Sequence, residues 1–106
     1  MEFKKTQKEV IRNAKSYGNK YKVKIDDEFA MLKLYEEVGE LAQAYLVYKK
    51  KSRPEKYMSK EEVKKGIAKE LADVVGVAMV LADALDIDLE EAIDKKWISK
   101  EWIKDR

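Results

Sequence analysis

The sequence predicts an all-α fold, a four-helix bundle forming a single domain over residues 1–106. Three observations lead there. Apolar residues recur at helical spacing, as in Phe29, Leu32, Leu34, Tyr35, Val38, Leu41, Ala42, Tyr45 and Tyr48. Capping patterns stand where the helical runs begin. No β-rich stretch of useful length interrupts them, and the single proline, Pro54, falls between the two longest runs. With 45% apolar and 42% charged residues in 106, the chain is globular and has material for one modest core.

The first helix is expected from Phe3 to Tyr17, with Gly18-Asn19 as its stop. Residues Tyr21 to Ile25 alternate briefly and read as an extended linker. Asp26 and Asp27 are good capping residues for a second helix reaching about Lys50. Lys49 to Tyr57 is a basic loop around Pro54. Ser59-x-x-Glu62 is a capping box. It opens a third helix that runs to about Leu85 through Val63, Ile67, Leu71, Val74, Ala78 and Leu81. Asp88, three residues before Glu91, opens a fourth helix with Leu89, Ala92, Ile93 and Trp97 on its inner face. Helices two and three are expected antiparallel at the centre. Between Leu71 and Leu85 only Asp73 and Asp83 are charged, so the third helix demands burial on nearly all sides. A monomer of this size supplies too little cover. The expectation is a homo-oligomer, a homodimer or homotetramer, built through the central helices.

Composition removes several kinds of chemistry. There is no Cys and no His, which excludes disulfides, Cys/His zinc sites and the Ser-His and Cys-His nucleophile systems. Any acid–base work falls to carboxylates, a lysine or a metal-activated water. The net charge of +2 gives no general case for nucleic acid or an acidic membrane surface. The charge is unevenly placed: eight Lys/Arg against two acids in residues 1–24, and eight against three in residues 49–65. Nucleic-acid binding through 49–65 is a distant reading, because it leaves the acidic motifs unexplained. The N-terminus lacks the apolar core of a signal peptide, and the longest apolar run, Val74 to Ala82, is too short to span a bilayer. A cytoplasmic protein with no membrane partner is expected.

The acidic motifs are Glu36-Glu37-x-x-Glu40 and Glu70-x-x-Asp73. Carboxylates three apart share one helical face. Glu37 has Lys33 at pairing distance, and Asp73 has Lys69. Glu40 and Glu70 have no cation three or four residues away. Like charges at this spacing destabilise a helix, and Asp73 stands in an apolar run where an unpaired charge is costly. Two such faces brought together make an oxygen cage that a hard divalent cation stabilises. Oxygen ligands favour magnesium, manganese or calcium, and a di-iron bundle drops out for want of histidine. Magnesium commonly combines carboxylates with substrate phosphates, so the pattern points to a phosphate ester or anhydride. Gly39 and Gly76, mid-helix beside the acids, read as points of close helix approach, with room for a ligand as the alternative.

At these residues the chain resembles a known family. Leu34 to Ala44 (LYEEVGELAQA) is similar to the first signature of the MazG-like, all-α nucleoside triphosphate pyrophosphohydrolases, and Lys69 to Val75 (KELADVV) to the second. Ala84 to Ile93 resembles the turn and helix that follow, so the similarity covers roughly residues 28–100. The resemblance implies a dimer or a dimer of dimers. It also implies magnesium-dependent cleavage of a nucleotide between the α and β phosphates, with manganese as a substitute ion. By motif position, Glu37, Glu40, Glu70 and Asp73 are the implied metal ligands. Glu36 matches the first glutamate of the signature, implied to orient water or to help hold a second metal. A Lys-x-x-x-Asn pair contacts phosphate in many relatives; here Lys96 matches the lysine and Lys100 replaces the asparagine. The connection between the two acidic motifs is long for the family. Metal ions polarise phosphoryl oxygens and acidify water, so phosphoryl transfer proceeds without a covalent intermediate. Two other readings stand beside this one. They are phosphoribosyl-ATP pyrophosphohydrolase and a non-catalytic helical oligomerisation or regulatory module.

Overall fold

Asp26, Ser59 and Asp88 set where three of the helices begin. In the computed structural model, which describes residues 2–103, the helices are α1 (Phe3–Tyr21), α2 (Asp27–Tyr48), α3 (Lys60–Ala84) and a short α4 (Leu89–Ile93). A 3-10 turn at Pro54–Lys56 interrupts the α2–α3 connection, and one π-helical turn, Asp94–Ile98, follows α4. The all-α expectation holds, with no strand among the described residues.

Each expected cap is made. The Asp26 carboxylate accepts from the Phe29 N–H at 2.9 Å, and Asp88 accepts from the Glu91 N–H at 3.1 Å. Ser59 Oγ accepts from the Glu62 N–H at 3.2 Å, while the Glu62 carboxylate accepts from the Ser59 N–H at 3.4 Å. These bonds satisfy amides that the first turn of a helix leaves without partners.

The end of α1 differs from expectation. The helix continues past Tyr17 to Tyr21, and Gly18 lies inside it. Lys22 takes the left-handed conformation, with φ 56°, that closes the helix. The Val23 N–H then bonds back to the Gly18 carbonyl at 2.9 Å. The following residues fold over α1 so closely that a Cβ at Gly18 would stand 2.6 Å from Val23 O and from Ile25 Cγ1. Gly18 is therefore a point of chain-on-helix contact and not a helix stop.

Packing centres on α3, which lies against both α2 and α1. Helices α2 and α3 run antiparallel. Val47 and Val63 line one cleft, Glu40 and Glu70 another, Glu37 meets Asp73, and Ala30 and Val80 line a fourth site. Each advance along α2 is thus matched by an equal retreat along α3. The buried apolar set is small: Ala30, Val63, Met79, Val80 and Ala82. Gln7 is buried between α1 and α3, its amide donating to the Met79 carbonyl at 3.4 Å. Lys4 bonds Asp88 at 2.6 Å and ties the start of α4 to α1.

The fourth helix is shorter than expected and packs mainly on the π turn after it. Leu89 and Ala92 are half-buried, but Ile93 and Trp97, expected on an inner face, are exposed. Exposed large apolar side chains also run along α2 and α3, including Leu32, Tyr35, Leu71 and Val75. The radius of gyration is 16.4 Å, against about 13 Å for a compact chain of this length. Among the described residues no helix is long and apolar enough to cross a membrane.

Replacing Gly18 by alanine should destabilise the chain by about 1–3 kcal/mol through overpacking against the Val23 carbonyl. Lys22→Gly should act in the opposite direction by up to about 1 kcal/mol, since glycine adopts positive φ freely. Urea melts of the two variants beside the native chain check both signs.

Candidate metal centre

The α2–α3 seam places the two acidic motifs face to face. Oxygen atoms of Glu37, Glu70 and Asp73 all lie within 4.8 Å of one another, and so do those of Glu36, Glu37 and Glu40. Glu37 belongs to both sets and is the joint between them. This follows from helix geometry: Glu37 and Glu40 share a face of α2, Glu70 and Asp73 share a face of α3, and the antiparallel alignment sets 37 against 73 and 40 against 70.

Glu37 is the buried member, with 7% of its surface exposed. Its Oε2 is fully enclosed and has no hydrogen-bond partner, and Glu70 Oε2 is in the same condition. On the buried Glu37, such an unpartnered oxygen costs about 1–3 kcal/mol. Among the described residues, Lys33 is the cation that forms ion pairs with these sets, its Nζ 2.9 Å from Glu36 and 3.8 Å from Glu37, while Lys69 pulls on Glu70 without pairing with it. No ion pair reaches Glu40, Glu70 or Asp73 among the described residues, so Lys69 does not take up Asp73 as its spacing allowed.

The electrostatics agree with the geometry. Burial pushes the Glu37 carboxyl above its ordinary range, and the charges of Glu40 and Asp73 push it further against the opposing pull of Lys33. Glu70 is raised in the same way, first by desolvation, then by Glu40 and Asp73. Two orphaned oxygens among mutually repelling acids fit a hard divalent cation, and all the donors are oxygen, as magnesium and manganese prefer.

The other expected residues lie differently. Glu36 is exposed at the edge of the cluster. Lys96 sits in the π turn and Lys100 just beyond it, with positive φ, and neither lines the cleft beside Glu40 and Glu70. That cleft, of about 350 Å³, is lined instead by Gln43, Ala44, Leu46, Val47, Ser52 and Lys56 together with the two acids. Only three-dimensional structure brings Lys56 there. A Cβ at Gly39 would meet nothing within 4 Å, so this glycine marks open space rather than close helix approach. At Gly76 the Cβ would rest 3.6 Å from Val10 of α1, the close approach expected.

In metal-free protein, Glu37 and Glu70 hold protons more tightly folded than unfolded. Their contribution to stability is complete below the ordinary glutamate value of 4.5 and is lost as pH rises through the raised folded values. In the presence of chelator, Glu37→Gln should therefore be more stable than the native chain at pH 7, by about 1–3 kcal/mol. That advantage should vanish below about pH 4. Magnesium or manganese should reverse the order at pH 7 by stabilising only the native chain. Thermal melts across pH, with and without the ion, measure both effects.

Among known proteins, two from Bacillus subtilis (strain 168) are similar to this chain. The uncharacterized protein YvdC is 40% identical over 62 residues, which are 57% of this chain and 58% of YvdC. The uncharacterized protein YpjD is 35% identical over 92 residues, 86% of this chain and 79% of YpjD. The chain thus spans less than two thirds of the length of YvdC. No family profile and no solved structure matches it. With 35% identity sustained across most of both chains, the protein belongs to the same family as YpjD.

Proposed function

We propose that the protein is a magnesium-dependent nucleoside triphosphate pyrophosphohydrolase of the MazG-like kind. It would split a (deoxy)nucleotide at the α–β anhydride into nucleoside monophosphate and pyrophosphate, in nucleotide-pool housecleaning. The observation that carries this reading is the buried Glu37, whose enclosed Oε2 has no partner and faces Glu70 and Asp73 across the helix seam. Folding alone gives no reason for that arrangement, and a bound cation does.

Glu37, Glu40, Glu70 and Asp73 would hold the ion. Magnesium, when bound, polarises the phosphoryl oxygens and acidifies nearby water. Glu36 stands at the exposed edge, braced by Lys33, and would orient the attacking water and accept its proton. Water adds to phosphorus at the α–β bridge, the bond from that phosphorus to the bridging oxygen breaks, and pyrophosphate departs with the electron pair. The open space at Gly39 leaves room beside α2 for the substrate.

The same reading includes a homo-oligomer. The chain exposes 8499 Å², whereas a folded monomer of this mass exposes about 6,100 Å². The excess exceeds the ~800 Å² per partner of a standard interface. Tyr35 is 80% exposed and Leu32 and Val75 more than half exposed, on the two helices that carry the acids. A second copy packed on these faces would cover them.

Glu40→Gln and Asp73→Asn should each lower pyrophosphate release by at least about a hundredfold, as expected when a catalytic ion loses a ligand. Folding should be intact by circular dichroism. A panel of canonical and modified nucleoside triphosphates together with phosphoribosyl-ATP identifies the substrate. No pyrophosphate from any of them with magnesium or manganese would sink the proposal. Light scattering should find a dimer or tetramer, and Leu71→Lys combined with Val75→Lys should shift it toward monomer.

A further inference from the structure

We propose that Lys56, on the connection between α2 and α3, is the cation that receives the terminal phosphates of the metal-bound substrate. Gln43 and Ser52 flank it as neutral hydrogen-bonding groups. The proposal rests on the reading of the acid cluster as a metal centre and adds to it the end of the site where the leaving group lies.

Glu40 and Glu70 from the two helices and Lys56 from the connection line one cleft of about 350 Å³. The acidic pole includes Glu70, whose Oε2 has no hydrogen-bond partner; the other is a lysine whose ammonium makes no ion pair among the described residues. The carboxylates and the lysine line one cleft without being paired across it. A ligand that is itself a chain of anionic groups bridging a cation satisfies both poles: its metal-bound oxygens face the acids and its distal oxygens face the ammonium. Gln43 from α2 and Ser52 from the connection line the same cleft and can supply neutral donors.

The connection is also built to hold that position. The Tyr57 hydroxyl lies 2.5 Å from the Lys50 carbonyl oxygen and 2.7 Å from that of Ser52, and donates its proton between them. The Pro54–Lys56 turn is closed by the Tyr57 N–H bonding to the Pro54 carbonyl at 3.0 Å. The backbone that carries Lys56 is therefore a clasped turn, which keeps the residue at the cleft.

The test separates binding of anion from binding of metal. Manganese binding to the native chain is followed by electron paramagnetic resonance, and binding of inorganic pyrophosphate in the presence of magnesium by calorimetry. Lys56→Ala should weaken pyrophosphate binding by about tenfold to a hundredfold, as loss of one charge-assisted hydrogen bond predicts. Manganese binding without anion should be as tight as in the native chain or tighter. Lys56→Arg should bind pyrophosphate within about threefold of native, because the charge is retained. Unchanged pyrophosphate affinity in Lys56→Ala, with manganese still bound, overturns the role of Lys56 and leaves the metal centre standing. The same holds if the loss follows Lys96→Ala and Lys100→Ala instead. Failure of the native chain to bind manganese overturns the metal centre and this proposal together. Lys56 is exposed on a loop, and an unchanged melting curve for each variant excludes misfolding as the cause.

Discussion

The repulsion among carboxylates enclosed between α2 and α3 is the constraint around which the rest of the structure is arranged. Glu37 and Glu70 each present an oxygen with no donor, in a seam where solvent cannot compensate. Charges of one sign at such separations repel more strongly as the surroundings become less polar. Lys33 offsets this at the Glu36–Glu37 end of the cluster, and Lys69 does so more weakly at Glu70. The seam is held closed against that repulsion by a small apolar set and by α3 packing on two helices at once. A divalent ion bound there would change the sign of the effective interaction, because each carboxylate would gain an attraction that outweighs its neighbours. On the proposed reading, stability and metal content would be two views of one equilibrium.

The apolar side chains left open on α2 and α3 belong to the same argument. The helices that bear the acids also bear Leu32, Tyr35, Leu71 and Val75, all exposed. A core made of Ala30, Val63, Met79, Val80 and Ala82 is small for a chain of this length. The C-terminal segment adds little, since Trp97 and Ile98 face outward and α4 gives way to a wide turn after five residues. Covering the open faces would stiffen the two helices whose spacing sets the distances among the carboxylates, which links assembly to the chemistry of the seam.

What the sequence disclosed and what it hid divide along the range of the interactions involved. The caps at Asp26, Ser59 with Glu62, and Asp88 were legible because a cap is made within three residues. The facing acids were legible because a three-residue repeat within an apolar stripe fixes a direction before any partner is known. Gly18 misled, since a glycine near a helix end signals a stop and a close contact equally well, and the residue that decides, Ile25, lies seven positions on. The π turn after α4 carries no local signal. Gly39 looked like a place for helix contact and proved open. Lys56 was one lysine in a basic loop until the antiparallel pairing of Glu40 with Glu70 showed where that loop returns.

The matched advance and retreat of α2 against α3 has a consequence for how such a molecule can change over time. One inserted residue between Ala30 and Glu40 would swing the later acid by 100° around the helix and break the cage. Residues added to the stretch 49–59 would leave every carboxylate where it is. Altered chain length is thus better tolerated in that connection, which shares a cleft with Glu40 and Glu70, than in the two helices that bear the acids.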